Sequence, residues 1–419
     1  MITNIIKMFK HVSDPALNMD VPVLKDESIC DYQYYSYDAH VPDKRGRIEL
    51  QVQDTSRYFL PTEAFIEIKG RLLKLDNTNY RIGDRVGFVN NGIMALFKSA
   101  AYMIDGWEIE VCHNDINVAT TILGLARYSD DYSRSAGPSI MFAKDITDRP
   151  ENRNVTLNAA GDTVVSMNEN FSLGFATHRM MLSDIKSFSC AIPLSHIFGF
   201  CRNVRKVIFG AKHTIVHVRK PTDNYAIWHA EGVDPAATAV LHGRVILTKL
   251  PLWMPKMTPS LTEEELLLSF MESDGKSTLS WLTMTTDSIQ SNINGLFTWW
   301  IASQQGVSAL RHIFIAFQNT AGVNNQTQSI MIFDQLGVTE FSLRINGHQE
   351  PYEDILLDFN QNHVARAYHC LIKMLILVCK YLSGILQHCI QSIISHWNTW
   401  ICSDNLLLIY TFELVWQEE

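Results

Sequence analysis

The residues that could do chemistry are few and scattered. His213 and His217 sit four apart in an apparent strand, so they could share a face and grip a metal ion. A metal site in such a strand setting needs a closely paired His-x-His, a nearby Glu and flanking glycines. That grouping is missing, so both are expected to be ordinary surface or interface histidines. There is no glycine-rich phosphate loop and no Gly-x-Ser-x-Gly nucleophile elbow. The acidic clusters Asp130-Asp131 and Glu263-Glu264-Glu265 are expected to be solvated faces, not paired catalytic carboxylates. Trp299 and Trp300 have no adjacent basic residues, as a platform for stacking bases would require, and are expected to pack at a domain or subunit interface. Of the eight cysteines, Cys30, Cys112, Cys190, Cys201, Cys370, Cys379, Cys389 and Cys402, none forms a CxxC pair or a metal-ligand spacing. They are expected to be unpaired thiols in a reducing compartment. No catalytic, cofactor-binding or metal site is expected.

The elements that would have to position any site are mostly short strands. In Arg47 to Gln53, Ile48, Leu50 and Val52 face one side and Glu49, Gln51 and Gln53 the other, the period of a half-buried strand. Phe65 to Lys69 repeats the pattern. Asp105-Gly106 lies between two β-favouring runs, Ser99 to Ile104 and Trp107 to Glu110, and predicts a hairpin closed by a tight type I′ turn. Residues 115 to 127 predict a helix capped by Asp115, with Ile116, Ala119, Thr120 and Leu123 on one face and Gly124 as its weak point. Further strands are expected at Phe171 to Phe175, Phe188 to Ile192, Val207 to Phe209, Thr214 to Val218 and Val245 to Leu247. Many short strands at even spacing suggest a sandwich or barrel.

Three prolines between Pro251 and Pro259 predict an inter-domain connector over residues 251–260. A second β series follows, with a buried strand at Arg311 to Gln318 and a hairpin turn at Asn346-Gly347. The 419-residue length fits about two or three domains. Hydrophobic residues at 47% and charged residues at 19% are globular composition, and a net charge of -9 argues against coating nucleic acid directly. Residues 1–27 read as an arm. Their short Ile5-Ile6 run before Lys7 is no signal-peptide core, so the sequons at Asn154, Asn170 and Asn325 are expected to be chance matches.

Several segments together resemble the double jelly-roll major capsid proteins of Polinton (Maverick) elements, adintoviruses and virophages. They are Asn90 to Phe97 leading into Ile104-Asp-Gly-Trp107, Ile192 to Phe200, Leu252 to Pro255, Arg311 to Gln318, and Leu343 to Gly347 running on to Tyr352 and Asp358-Phe359. Their order matches, over roughly residues 30 to 370. The resemblance implies an all-β chain of two jelly-roll sandwiches, acting as a non-enzymatic coat subunit. It implies a pseudo-hexameric homotrimer, higher capsid assembly and a penton-type minor capsid partner, with no cofactor. It also implies a place in the virion, or inside the cell if the chain is an endogenised copy. The expected division is 1–27 arm, 28–250 first jelly roll, 251–260 connector, 261–370 partial second jelly roll and 371–419 tail.

The tail is the discordant part. Residues 369–419 contain one glycine and no proline, unlike a turn-rich β-domain. A membrane helix over 371–390 would bury Lys373, Lys380, Gln387 and His388 in a bilayer. A packed amphipathic helix is a second reading. A non-homologous stretch read through a frameshift or an unspliced intron is the third, favoured one. A host β-sandwich module that binds a partner and forms no particles stays open as the alternative function.

Overall fold

The computed structural model describes residues 28–39, 46–145 apart from 83, residue 147, the backbone of 153–157 and 163–167, 172–230 and 242–272. It further describes 279–289, 295–300, 312–318, 323, 325–345 apart from 335, 347–371 and 408–411. The expected arm (1–27) and most of the expected tail lie outside these residues, as does Asn346.

Among the described residues fifteen strands precede residue 260: β1 (Ile29–Tyr37), β2 (Arg47–Val52), β3 (Tyr58–Phe59), β4 (Phe65–Lys74), β5 (Val86–Phe88), β6 (Phe97–Ile104), β7 (Trp107–Cys112), β8 (Arg153–Leu157), β9 (Thr163–Met167), β10 (Ser187–Pro193), β11 (Ile208–Phe209), β12 (His213–Arg219), β13 (Ile227–His229), β14 (Gly243–Lys249) and β15 (Leu252–Pro259). The larger sheet has the order β10-β4-β15-β3-β11, with β14 also on β4 and β1 on the far side of β15. The smaller sheet has the order β2-β12-β6-β7. One core fills the space between them. Ile48, Leu50 and Val52 of β2 and Ile215 of β12 meet Ile66, Ile68 and Leu72 of β4, Ile192 of β10 and Met254 of β15, all buried. This is the alternation expected of two sheets packed face to face.

The expected hairpin is present. Asp105 (φ 50°) and Gly106 (φ 84°) turn β6 into β7, and Asp105 also accepts the Lys212 N–H at 2.7 Å, pinning the tip to the start of β12. The expected helix is α1 (Ile116–Arg127), and Ile116, Ala119, Thr120 and Leu123 are buried as a face. Its cap is corrected: Asp115 occupies the cap position in a left-handed conformation, makes no side-chain capping bond, and turns its carboxylate to Lys220 instead. Gly124 is required, because a Cβ there would lie 2.4 Å from the ring of buried Phe142.

Two expectations about elements fail. Leu173–Met180 is a helix (α3, after the short α2 at Asp130–Ser135), where a strand was expected at Phe171 to Phe175; the Ser172 hydroxyl caps it by accepting the Phe175 N–H. The proline-rich stretch is no connector either. It is β15, with Leu252 and Met254 fully buried and β1 paired along its whole length. The prolines do not break it because Pro255 still offers its carbonyl, which accepts the Leu60 N–H at 3.2 Å. The stretch through Pro259 is thus part of the larger sheet. Two short helices, α4 (Leu194–Ile197) and α5 (Gly199–Asn203), follow β10, and α6 (Leu261–Glu272) leaves β15 with Leu266, Leu267, Leu268 and Phe270 exposed.

Beyond residue 300 the described residues give two antiparallel pairs, β16 (His312–Ile315) with β19 (Leu408–Thr411), and β17 (Glu340–Ile345) with β18 (His348–Leu356). Residues 313–318 are half-buried, not the buried strand expected: Ile315 and Phe317 pack on a small core made by Ile355, Leu357, Val364 and Ala367, and Phe314 and Ala316 pack on Ile122, Phe333 and Tyr368. Four residues of the expected helical or irregular tail thus form a strand. Residues 325–333 pack back against the first sandwich: Met331 and Ile330 join Trp228, Phe175 and Val89.

Candidate functional site

His213 and His217 are both buried in the core, which corrects the expectation of surface or interface histidines. They alternate with Ile215 along β12, the strand between β2 and β6, so the period of two carries them inward with it. His213 Nδ1 shares a hydrogen bond with the Tyr102 hydroxyl at 2.7 Å, and the ring of Phe59 meets it edge-on. His217 stands against Phe97. Burial pushes both imidazoles down to about 4, so neither carries charge at neutral pH. Among the described residues no group of three or more His, Cys, Asp or Glu side chains could hold a metal ion.

The other buried ionisable groups bind backbone or other side chains. His196 donates to Asn91 Oδ1 at 3.3 Å and accepts from Tyr128 at 2.8 Å, and burial takes it down to about 3. His178 accepts the Ala143 N–H. Glu110 accepts the N–H groups of Gly199 and Phe200, at 2.9 and 2.7 Å, satisfying the first turn of α5; burial raises its carboxyl against the pull of those donors. Asp145 accepts from Ser172 and the Asn90 N–H, and burial pushes it up to about 7. These arrangements hold loops to helices. Cys112, Cys190 and Cys201 are buried free thiols pushed upward by burial, the opposite of an activated nucleophile.

The surface is more informative than the interior. Among the described residues β1 pairs with β15 alone, so its outer backbone edge is open, and its side chains are exposed along almost the whole strand. The outer face of the larger sheet carries an aromatic row from this edge inward. Tyr32 and Tyr34 meet edge to face at 5.7 Å, Tyr34 meets Phe65 at 5.7 Å, and Phe65 stacks on Trp253 at 6.1 Å. Tyr32 donates to Glu63, Trp253 donates to Glu67 at 3.1 Å, and Lys256 lies 4.6 Å from the centre of the Tyr35 ring. Further along the same face an open groove is lined by Lys69, Arg71, Ser187, Ser189, Thr248 and Met180. Trp107 at the β6–β7 turn and Trp300 are 78% and 89% exposed. Sequence reading passed over β1 because its tyrosines, two of them consecutive, are interspersed with Asp31, Gln33 and Ser36 and mark no clear apolar face.

No helix among the described residues is long and apolar enough to cross a membrane. A comparison with curated proteins returns no match. Among solved structures the chain is similar to that of the Sputnik virophage, with 12% identity and a TM-score of 0.38 over 60% of this chain and 52% of that one. It is also similar to the Faustovirus major capsid protein, with 8% identity and a TM-score of 0.34 over 64% of this chain and 62% of that one. The mavirus major capsid protein matches at 12% identity and a TM-score of 0.34, over 60% of this chain and 52% of that one. The chain thus spans little more than half the length of two of these proteins. A family model described as a double jelly roll-like domain matches residues 138–384, which reaches past the boundary expected at residue 370 and into the expected tail. With its two-sheet sandwich, its second β series and a match over more than half of its length, the chain belongs to the double jelly roll-like domain family.

Proposed function

We propose that this chain is a coat-type structural subunit that works by associating with copies of itself, without catalysis. The observation that carries the reading is the edge of β1 that no other strand of the described residues pairs, beside the aromatic row Tyr32, Tyr34, Phe65 and Trp253. An unpaired strand edge next to half-exposed aromatic rings is what a subunit covers when it meets a neighbour. The ordered sequence segments that resemble Polinton, adintovirus and virophage coat proteins support the lineage. In that lineage the unit is a homotrimer, with a penton-type protein as a further partner and the virion as its place. The division that fits this reading is a first jelly roll over 28–259, a second starting at α6, and a frame-altered tail beginning no earlier than residue 385.

Light scattering coupled to size exclusion tests the reading, with electron microscopy of the same fractions. Concentration-dependent association is expected, with the trimer as its smallest stable species. Tyr34→Asp should raise the association midpoint about tenfold, the scale of one lost interface anchor, and leave thermal unfolding unchanged. A well-behaved monomer at every concentration, with no particles, would instead favour a host β-sandwich module that binds another partner. Neighbouring genes for a protein-primed polymerase, an integrase or a packaging ATPase would establish the lineage. Translation of the downstream DNA in all three frames would test the tail.

A further inference from the structure

Lys220 follows directly on the last residue of β12 and is buried, its backbone N–H donating to Leu96 at 2.9 Å. Its Nζ donates to Asp115 Oδ1 at 3.1 Å and to Asn117 Oδ1 at 3.0 Å, and lies 4.1 Å from the centre of the Tyr225 ring. Asn117 stands on the first turn of α1 and is completely buried, with its Nδ2 against the thioether of Met331 at 3.6 Å. Thr120, Thr121 and Met331 around it are buried as well. The backbone before the helix is strained in a way that serves this contact. Asn114 (φ 49°) and Asp115 (φ 45°) are consecutive left-handed residues, neither of them glycine, and they turn the Asp115 carboxylate away from the helix end and toward Lys220.

The buried Lys220 amine thus meets a buried primary carboxamide on one side and, on the other, a carboxylate whose side chain is 36% exposed. We propose that Lys220 and Asn117 become joined by an intramolecular isopeptide bond, with Asp115 carrying the protons. Because a C=O bond is about 1.2 Å long, Nζ lies no further than about 4.2 Å from Asn117 Cγ, a small movement away from attack distance. Burial lowers the proton affinity of the Lys220 amine in spite of the neighbouring carboxylate, which favours the free amine that attack requires.

The step balances without an oxidant or any co-reactant. Asp115 takes one proton from the Lys220 ammonium, and the freed electron pair on Nζ forms a bond to Asn117 Cγ. The Cγ–Nδ2 bond then breaks, its electron pair staying on Nδ2. Nδ2 receives the proton held by Asp115 and a second proton from Nζ, and departs as ammonium. Lys220 keeps one hydrogen on an amide nitrogen, and Asp115 returns to its carboxylate. The bond would tie the first turn of α1 to the end of β12 across 103 residues of chain. It does not depend on the coat reading, since every group comes from one chain.

Intact-mass measurement of the soluble full-length protein tests it, followed by digestion in denaturant. The expected mass is lower than the sequence mass by one ammonia, with a branched peptide joining the segment around Asn117 to the segment around Lys220. Lys220→Met and Asp115→Ala should each restore the full mass and two linear peptides. The wild-type digest decides the matter even where a variant fails to fold, because a covalent branch survives denaturation. Two linear peptides and the unreduced mass in soluble wild-type protein would overturn the proposal. Loss of water with a branch at Asp115 would overturn the assignment to Asn117.

Discussion

His178, His196, His213, His217 and His229 all lose their water on folding, and burial takes each of them down to between about 3 and about 4. An unfolded histidine titrates near 6.5, so each contributes stability that is present above that pH and lost as the pH falls toward 4. Between pH 7.5 and pH 5 the loss is at most ~2 kcal/mol per side chain, at about 1.4 kcal/mol for each pH unit below 6.5. Asp145 works in the other direction, since burial raises its carboxyl to about 7 and it gains a proton in the folded state through the same window; burial raises Glu110 as well. Five imidazoles outweigh two carboxyls, so the thermal midpoint should be lower at pH 5 than at pH 7.5; a flat or rising profile would show that the rings are hydrated. At Gly124 two effects compete. Alanine gains ~1 kcal/mol of helix propensity but drives a methyl group into Phe142, and overpacking costs ~1–3 kcal/mol. Gly124→Ala is therefore expected to lower stability in chemical denaturation, and a more stable variant would mean that the Phe142 ring moves aside. The sequence marked Gly124 as a weak point of its helix, but the aromatic ring that requires it comes from residue 142 and could not be read from local pattern.

Where one face of a strand was core and the other solvent, the element could be read directly. Ile48, Leu50 and Val52 all point inward as their spacing requires, and Asp105-Gly106 closes its hairpin. The reading failed where local chemistry and tertiary context disagree. β15 contains Pro255 and Pro259, which locally signal a linker, yet its apolar residues Leu252 and Met254 have a core to fill and β1 to pair with. At α3 the Phe-Ser-Leu-Gly-Phe run looks extended, but Ser172 is a good N-cap and Phe175 is buried against Trp228. The histidines of β12 were misplaced for a related reason: polarity suggested the surface, while their alternation with Ile215 already placed them on its face. The candidate association surface was the least legible part, because an open edge is defined by which strands are absent beside it.

At the scale of the whole molecule the chain is interlocked. Gln326 is completely buried, 83 residues beyond Gly243, and its side chain closes a two-way contact with that glycine: the Gly243 N–H donates to Oε1 at 2.6 Å, and Nε2 donates to the Gly243 carbonyl at 2.8 Å. Its backbone carbonyl accepts the His229 N–H, and the next residue, Thr327, accepts from the Trp228 indole at 3.0 Å. Gln326→Ala would leave two buried backbone groups at Gly243 without their partner. It should cost ~2–4 kcal/mol in chemical denaturation, against ~1 kcal/mol for an exposed glutamine. No sequence period could show this, since one residue of the second half completes the hydrogen bonding of the first.

That plug also sets an order of events during synthesis. The edges at Gly243 and His229 emerge from the ribosome well before Gln326 does, so the first sandwich is born with an open seam. It can be sealed only after translation has passed the segment ending at Phe333. Translation speed between α6 and that segment therefore sets how long the unfinished seam is exposed to other nascent chains.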